Sequence, residues 1–250
     1  MRRLIFARKV LIILIIIKPI DSQKLKYIST KMILNRQALK SKLLQELLSH
    51  PDLDLKVWSD EELLRSIRVT LQQRTTQELW IFAYGSLIWN PLFNYIDRCS
   101  VTVEGWHRQF CLLAPVGRGT IDNPGLVLGL EPGDSCQGIA YRLPIDENLE
   151  SELLLLWRRE MVVGSYIPTW ATAKNNSNTL KVLTFVVDRQ HPVYVNNLST
   201  EKIVESLATA KGHLGSSAEY LNHTVQGLLA VGIEDRQLID LDHLVKCRQK

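Results

Sequence analysis

Between residues 35 and 49 the apolar positions Leu39, Leu43, Leu44, Leu47 and Leu48 fall on one face at helical spacing, and His50-Pro51 ends the run. Ser59-Asp60-Glu61-Glu62 then reads as a helix start. A capping hydroxyl precedes acidic side chains, which favour the positive end of a helix, and the helix is expected to run to about Gln77. At Trp80 the period changes. Trp80-Ile81-Phe82-Ala83-Tyr84 is a compact apolar run broken at Gly85-Ser86, the pattern of a buried strand ending in a turn. Further short strands are expected at residues 99–104, 109–114, 126–131 and 137–143, with turns at 115–120, 122–125 and Glu131-Pro132-Gly133-Asp134. Asp146 is a candidate cap for a helix whose apolar stripe is Leu149, Leu153, Leu156 and Trp157. Strands at 166–173 and 180–187 follow, and then helices at 200–210, 217–231 and 235–246. Strands clustered first and helices later predict an α+β fold.

Composition narrows the reading. The chain has 250 residues, 46% of them hydrophobic and 22% charged, which is ordinary for a soluble globular protein. A formal net charge of +4 is too mild to argue for a nucleic-acid partner. Cys99, Cys111, Cys136 and Cys247 are scattered, and the histidines show no paired spacing. Neither a structural zinc site nor a disulfide framework is expected, and a reducing compartment fits. No metal is therefore assigned to the site.

Residues 1–31 stand apart. Arg2, Arg3, Arg8 and Lys9 precede the apolar run Val10 to Ile17, which resembles the start of a secretory signal, yet no small-x-small cleavage site follows. The run is far shorter than the roughly 20 apolar residues of a membrane span. We read 1–31 as a dispensable upstream extension, with Met32 as the natural start and a membrane anchor as the alternative. Residues 32–77 form a helical appendage, and 78–250 the main domain.

The candidate chemistry centres on Tyr84-Gly85-Ser86-Leu87. Glycine permits a sharp turn and a close approach to the main chain, and successive N–H groups in such a turn form a nest for carboxylate or phosphate oxygens. Ser86 as a nucleophile ranks low, because no Gly-x-Ser-x-Gly elbow surrounds it. Read from the residues alone, Arg158-Arg159-Glu160 is a solvated charged face, with Glu160 paired to one of the arginines.

The ten residues from Trp80 to Trp89 resemble the signature loop of the ChaC-type γ-glutamylcyclotransferases. The resemblance continues through Gly105-Trp106-His107-Arg108, Gly117-Arg118-Gly119-Thr120, residues 138–144, Leu156-Trp157-Arg158-Arg159-Glu160-Met161, Tyr166-Ile167-Pro168-Thr169-Trp170 and Ala218-Glu219-Tyr220-Leu221. It implies a small mixed β-barrel with flanking helices. It also implies cyclisation of the γ-glutamyl group of glutathione to 5-oxoproline with release of Cys-Gly. The same reaction on γ-glutamyl amino acids or amines, or a non-catalytic regulatory role linked to cation transport, are the alternatives. On this resemblance Glu160 is the acid-base residue, while Ile81, Phe82, Ala83, Tyr84, Gly85, Ser86, Leu87 and Tyr220 bind substrate. Arg118 is a candidate for the glycine carboxylate of glutathione, and Tyr166 and Trp170 are expected to pack the barrel. The resemblance implies a cytoplasmic enzyme without cofactor, acting as a monomer or weak dimer, with glutathione as its small-molecule partner and no stable membrane association.

Overall fold

Five strands close into a barrel in the order β1-β3-β2-β4-β5. The computed structural model describes residues 34–175 and 178–250, so the readings made for residues 1–31 and Met32 lie outside the described residues. β1 (Leu79–Ala83) fixes the frame of the site. It pairs antiparallel with β3 (Gly125–Leu143) and parallel with β5 (Thr179–Val187), and every one of its residues is buried. A strand covered on both faces reads as an unbroken apolar run, which is why this segment carries no alternation.

β2 (Asp97–Ala114) and β3 form one long antiparallel hairpin, where the sequence pattern splits each into two strands. The expected turn at 131–134 does not form, and Pro132 sits in the ladder opposite Trp106. The break occurs instead as a register shift between Glu104 and Trp106, where Gly105 takes φ +80°. A bulge of this kind bends a strand without ending it, so both long strands can curve around the barrel. β2 reaches β4 (Tyr166–Lys174) through Thr102 and Val103, and β4 pairs along its length with β5 to close the cylinder.

The expected helix over 35–49 is two short ones, α1 (Arg36–Lys40) and α2 (Leu43–Leu48), because Lys42 enters the left-handed region at φ 61°. α3 (Asp60–Gln72) starts at the anticipated cap. Ser59 Oγ accepts from the Glu62 N–H and the Glu62 carboxylate accepts from the Ser59 N–H, but the helix ends five residues before Gln77. α4 (Leu149–Glu160) begins after Asn148. Asp146 accepts from the Asn148 N–H instead of capping the helix itself.

α4 is wedged between barrel and α3. Its fully buried Trp157 meets Phe185 of β5 edge-on, with ring centroids 5.1 Å apart, and its indole N–H donates to Ser66 Oγ of α3 at 3.0 Å. Truncating a buried tryptophan typically costs about 3–5 kcal/mol, so this contact sets the height of α4 on the barrel. Arg158 turns away from the barrel and forks onto Asp60 at 3.0 and 2.9 Å. The last residue of α4, Glu160, is thereby delivered to the barrel end where β1 stops. α5 (Thr200–Thr209), the two-residue pairing of β6 (Lys211–Gly212) with β7 (Gly215–Ser216), α6 (Ser217–Leu229) and α7 (Arg236–Arg248) complete the described chain. No described helix is long and apolar enough to cross a membrane.

Candidate active site

A cleft opens where β1 ends. Its lining comes from the turn (Tyr84, Gly85, Ser86, Leu87), β3 (Leu128), α4 (Glu160), β4 (Tyr166), β5 (Phe185) and α6 (Tyr220). The turn is helical in character: the Ile88 N–H donates to Gly85 O and the Asn90 N–H to Ser86 O, both at 3.0 Å. The N–H groups of Gly85, Ser86 and Leu87 find no acceptor among the described residues. Three successive uncommitted donors form the kind of concavity that receives carboxylate or oxyanion. Arg108, almost wholly buried, fixes the turn from behind. It donates to Tyr84 O at 2.7 Å and to Gln137 O, and its Nε lies 3.0 Å from Asp235.

Gly85 is not in the left-handed region, so the sharp turn does not explain the glycine. Close approach does: a Cβ here would lie 3.1 Å from the Tyr220 hydroxyl.

Glu160 reaches the cleft with a carboxylate that is only partly satisfied. Arg159 Nε lies 3.0 Å from Glu160 Oε1, but its N–H is not aimed at that oxygen, which has no hydrogen-bond partner among the described residues. Arg159 spends its other N–H groups on the turn, donating to Ser86 Oγ at 2.8 Å and to Asn90 O. Burial pushes the Glu160 carboxyl up, and the neighbouring guanidinium opposes that only in part. A buried carboxylate of raised pKa, held by an ion pair without a directed hydrogen bond, is equipped to take and return a proton.

Three tyrosines surround this carboxylate. Burial, reinforced by the Glu160 charge, drives Tyr84 and Tyr166 well above their ordinary range and Tyr220 to about 12. All three are therefore neutral donors at physiological pH. Tyr84 donates to Phe185 O at 2.8 Å and Tyr166 to Leu128 O at 2.9 Å, which uses their protons. Tyr220 differs. Its oxygen accepts from the Leu128 N–H at 3.4 Å, and its own proton has no acceptor among the described residues.

Beside Tyr220 lies Arg118, from the glycine-flanked loop. Its guanidinium is 5.7 Å from the Tyr220 ring centroid and 5.9 Å from that of Trp89, and Nη1 is 3.4 Å from Ser216 O. Burial lowers its pKa, so a carboxylate arriving here would gain a charge-assisted partner in a poorly solvated setting.

Of the residues singled out in the sequence, the structure brings Tyr84, Gly85, Ser86, Leu87, Tyr220 and Glu160 to one cleft. Ile81, Phe82 and Ala83 are buried within the barrel wall and do not line it. Tyr166, expected to pack the barrel, lines the cleft, while Trp170 donates its indole N–H to Thr70 O of α3 at 2.9 Å. By local pattern Arg159 is a salt-bridge partner on a solvated face. The available signal was angular: successive helix residues point about 100° apart, so Arg158 and Arg159 need not share a face. Leu128 and Phe185 carried no signal, since a residue at a cleft wall and one in a core look alike in an apolar strand.

Comparison with known proteins places this arrangement. Residues 79–248 match the sequence model for ChaC-like protein. A glutathione-specific γ-glutamylcyclotransferase of Escherichia coli is 42% identical over 187 residues, covering 74% of this chain and 80% of its own. The human glutathione-specific γ-glutamylcyclotransferase 1 is 35% identical over 150 residues, 58% of this chain and 67% of its own. Among solved structures, a yeast γ-glutamylcyclotransferase specific to glutathione superposes with TM-score 0.63 over 70% of this chain and 98% of its own, at 21% identity, and so shares the fold. With the family match spanning β1 to α7 and the same barrel beneath it, this chain belongs to the ChaC-like protein family.

Proposed function

We propose that the protein is a γ-glutamylcyclotransferase acting on glutathione. The observation that carries this reading is the buried, raised-pKa carboxylate of Glu160, ion-paired to Arg159 without a directed hydrogen bond at Oε1, lining the same cleft as a turn of free N–H donors and the free Tyr220 hydroxyl. The substrate's α-ammonium gives a proton to the Glu160 carboxylate. The freed amine attacks the γ-carbonyl carbon, and a C–N bond closes the five-membered ring. Negative charge on the carbonyl oxygen is met by fixed donors, for which the turn N–H groups and Tyr220 are the candidates. As the tetrahedral centre collapses, the original amide C–N bond breaks, the Glu160 carboxylic acid returns its proton to the leaving nitrogen, and the carboxylate so regenerated takes the second proton from the ring nitrogen and yields it to the released amine. The products are 5-oxoproline and Cys-Gly. The nucleophile is already tethered to the electrophile, so orientation supplies much of the rate; effective molarities of about 10⁵ M or more are reached in well-placed intramolecular reactions. As written, the reaction calls on neither cofactor nor metal.

Glutathione as the substrate is supported by the glutathione specificity named for the relatives of Escherichia coli and human, and by Arg118, whose position suits a second carboxylate. Residues 78–250 carry the chemistry in this reading. We propose a monomer or weak dimer, and glutathione as the substrate supports a cytoplasmic location. The test is release of 5-oxoproline by the full chain from glutathione, oxidised glutathione and γ-glutamyl-alanine. Release from glutathione in preference to the other two is expected. Preferential release from the dipeptide would move the substrate to γ-glutamyl amino acids, and no release by folded protein would refute the enzymatic reading.

A further inference from the structure

The segment that follows the substrate turn is held by residues that precede the family-matched region. Asn90 donates through Nδ2 to Leu34 O at 3.1 Å, while its own carbonyl accepts from Arg159, the residue that also touches Ser86 and Glu160. Two residues on, Arg36 donates through Nη1 to Leu92 O at 2.9 Å and forks onto Glu152 at 2.8 and 2.5 Å. The same buried Glu152 accepts from the Asn94 N–H at 2.9 Å. Leu92, between these anchors, sits at φ 59°, a conformation rare for a residue with a Cβ and held only where the surroundings dictate it. The Arg36–Glu152 fork grips that strained residue on both sides, by its carbonyl and by the N–H two residues later.

We infer that Leu34–Arg36 is a positioning element of the active site, with Arg36 setting the segment 85–94 and, through Asn90 and Arg159, the geometry between the turn and Glu160. Five-residue α1 adds little to the barrel core, since its one buried side chain, Leu39, belongs to a small satellite cluster outside the main core. Leu39 O and Lys40 O accept from Arg158 of α4, whereas the contacts of Arg36 converge, directly on Leu92 O and through Glu152 on Asn94, on the segment that carries the substrate turn. Removing the fork is expected to loosen the turn before it loosens the fold. The kinetic part of this inference rests on the γ-glutamylcyclotransferase reading; the geometric part does not.

The experiment uses the full chain with Arg36→Ala, Arg36→Lys and Asn90→Ala, measuring both 5-oxoproline release from glutathione and amide hydrogen exchange across residues 85–94. With Arg36→Ala, kcat/KM is expected to fall about tenfold, chiefly through a higher KM, as expected when preorganisation of a binding turn is lost. Arg36→Lys keeps the charge but not the fork and is expected to fall between. Exchange at 85–94 should quicken while the barrel strands stay protected. Wild-type KM and kcat in Arg36→Ala, whatever happens to its Tm, would overturn the inference. If the unaltered chain turns over no γ-glutamyl substrate, the activity reading fails, and unchanged exchange at 85–94 in Arg36→Ala would overturn the clamp separately.

Discussion

Arg159 and Glu160 are consecutive at the end of α4, yet their side chains meet at 3.0 Å without a directed hydrogen bond, because Arg159 is pulled toward Ser86 and Asn90. The guanidinium thus lends charge to the carboxylate and geometry to the turn. Arg159→Met removes a charge that opposes the effect of burial, so the Glu160 carboxyl rises further. A base must be ionised to act. The acid limb of kcat/KM is therefore expected to move to higher pH in Arg159→Met, and KM to rise as the turn loses its anchor. A limb that stays in place would separate Arg159 from the base.

The unaltered protein makes a related prediction. With its carboxyl raised by burial, kcat/KM should fall on the acid side with a midpoint above the ordinary glutamate value of about 4.3. A pH–rate profile over the acid range reads this directly.

Tyr220 is neutral at any working pH, since burial holds its hydroxyl at about 12, and its proton is uncommitted. Tyr220→Phe is expected to lower kcat on the order of tenfold or more, as loss of one oxyanion donor does, without moving the acid limb. A shifted limb with unchanged kcat would assign Tyr220 to tuning Glu160 instead.

Arg118→Met should raise KM for glutathione about 10- to 100-fold, the worth of one charge-assisted hydrogen bond. A γ-glutamyl amine without a second carboxylate should be affected far less. Equal losses on both substrates would make Arg118 a packing residue between Trp89 and Tyr220.

Much of this was legible in the chain. The apolar run 80–84, broken at Gly85-Ser86, marks the barrel's most enclosed strand and the turn that follows it, because burial on both faces leaves a distinctive unalternating pattern. The long β2–β3 hairpin was not legible. Pro132-Gly133 carries turn chemistry, and only the tertiary demand that the strand wrap a barrel keeps it in the ladder opposite Trp106. Glu160 came from resemblance; by local pattern it belongs to a charged helix face. Its burial follows from Trp157 and Arg158 fixing the roll of α4, a property of the packed helix pair.

That packing also predicts a pH dependence of stability. Arg158 first, and then Lys42, hold the Asp60 carboxyl well below the usual range. Between the folded and unfolded values the unfolded chain binds more protons, so this contribution is present above about pH 4 and is lost as pH falls further. Asp60→Asn should cost about 1 kcal/mol at neutral pH, the pair being partly exposed and screened, and should flatten the acid side of the Tm–pH curve. An unchanged curve would show the fork to be energetically silent.

The central claim is that Glu160 moves the protons. Initial rates of 5-oxoproline release from saturating glutathione by the full chain and by Glu160→Gln, with matched circular dichroism, test it most directly. The expected result is a kcat at least about 10²-fold lower in Glu160→Gln, the ordinary worth of a positioned acid-base group, with the fold intact. A folded Glu160→Gln protein that keeps the unaltered rate would contradict it.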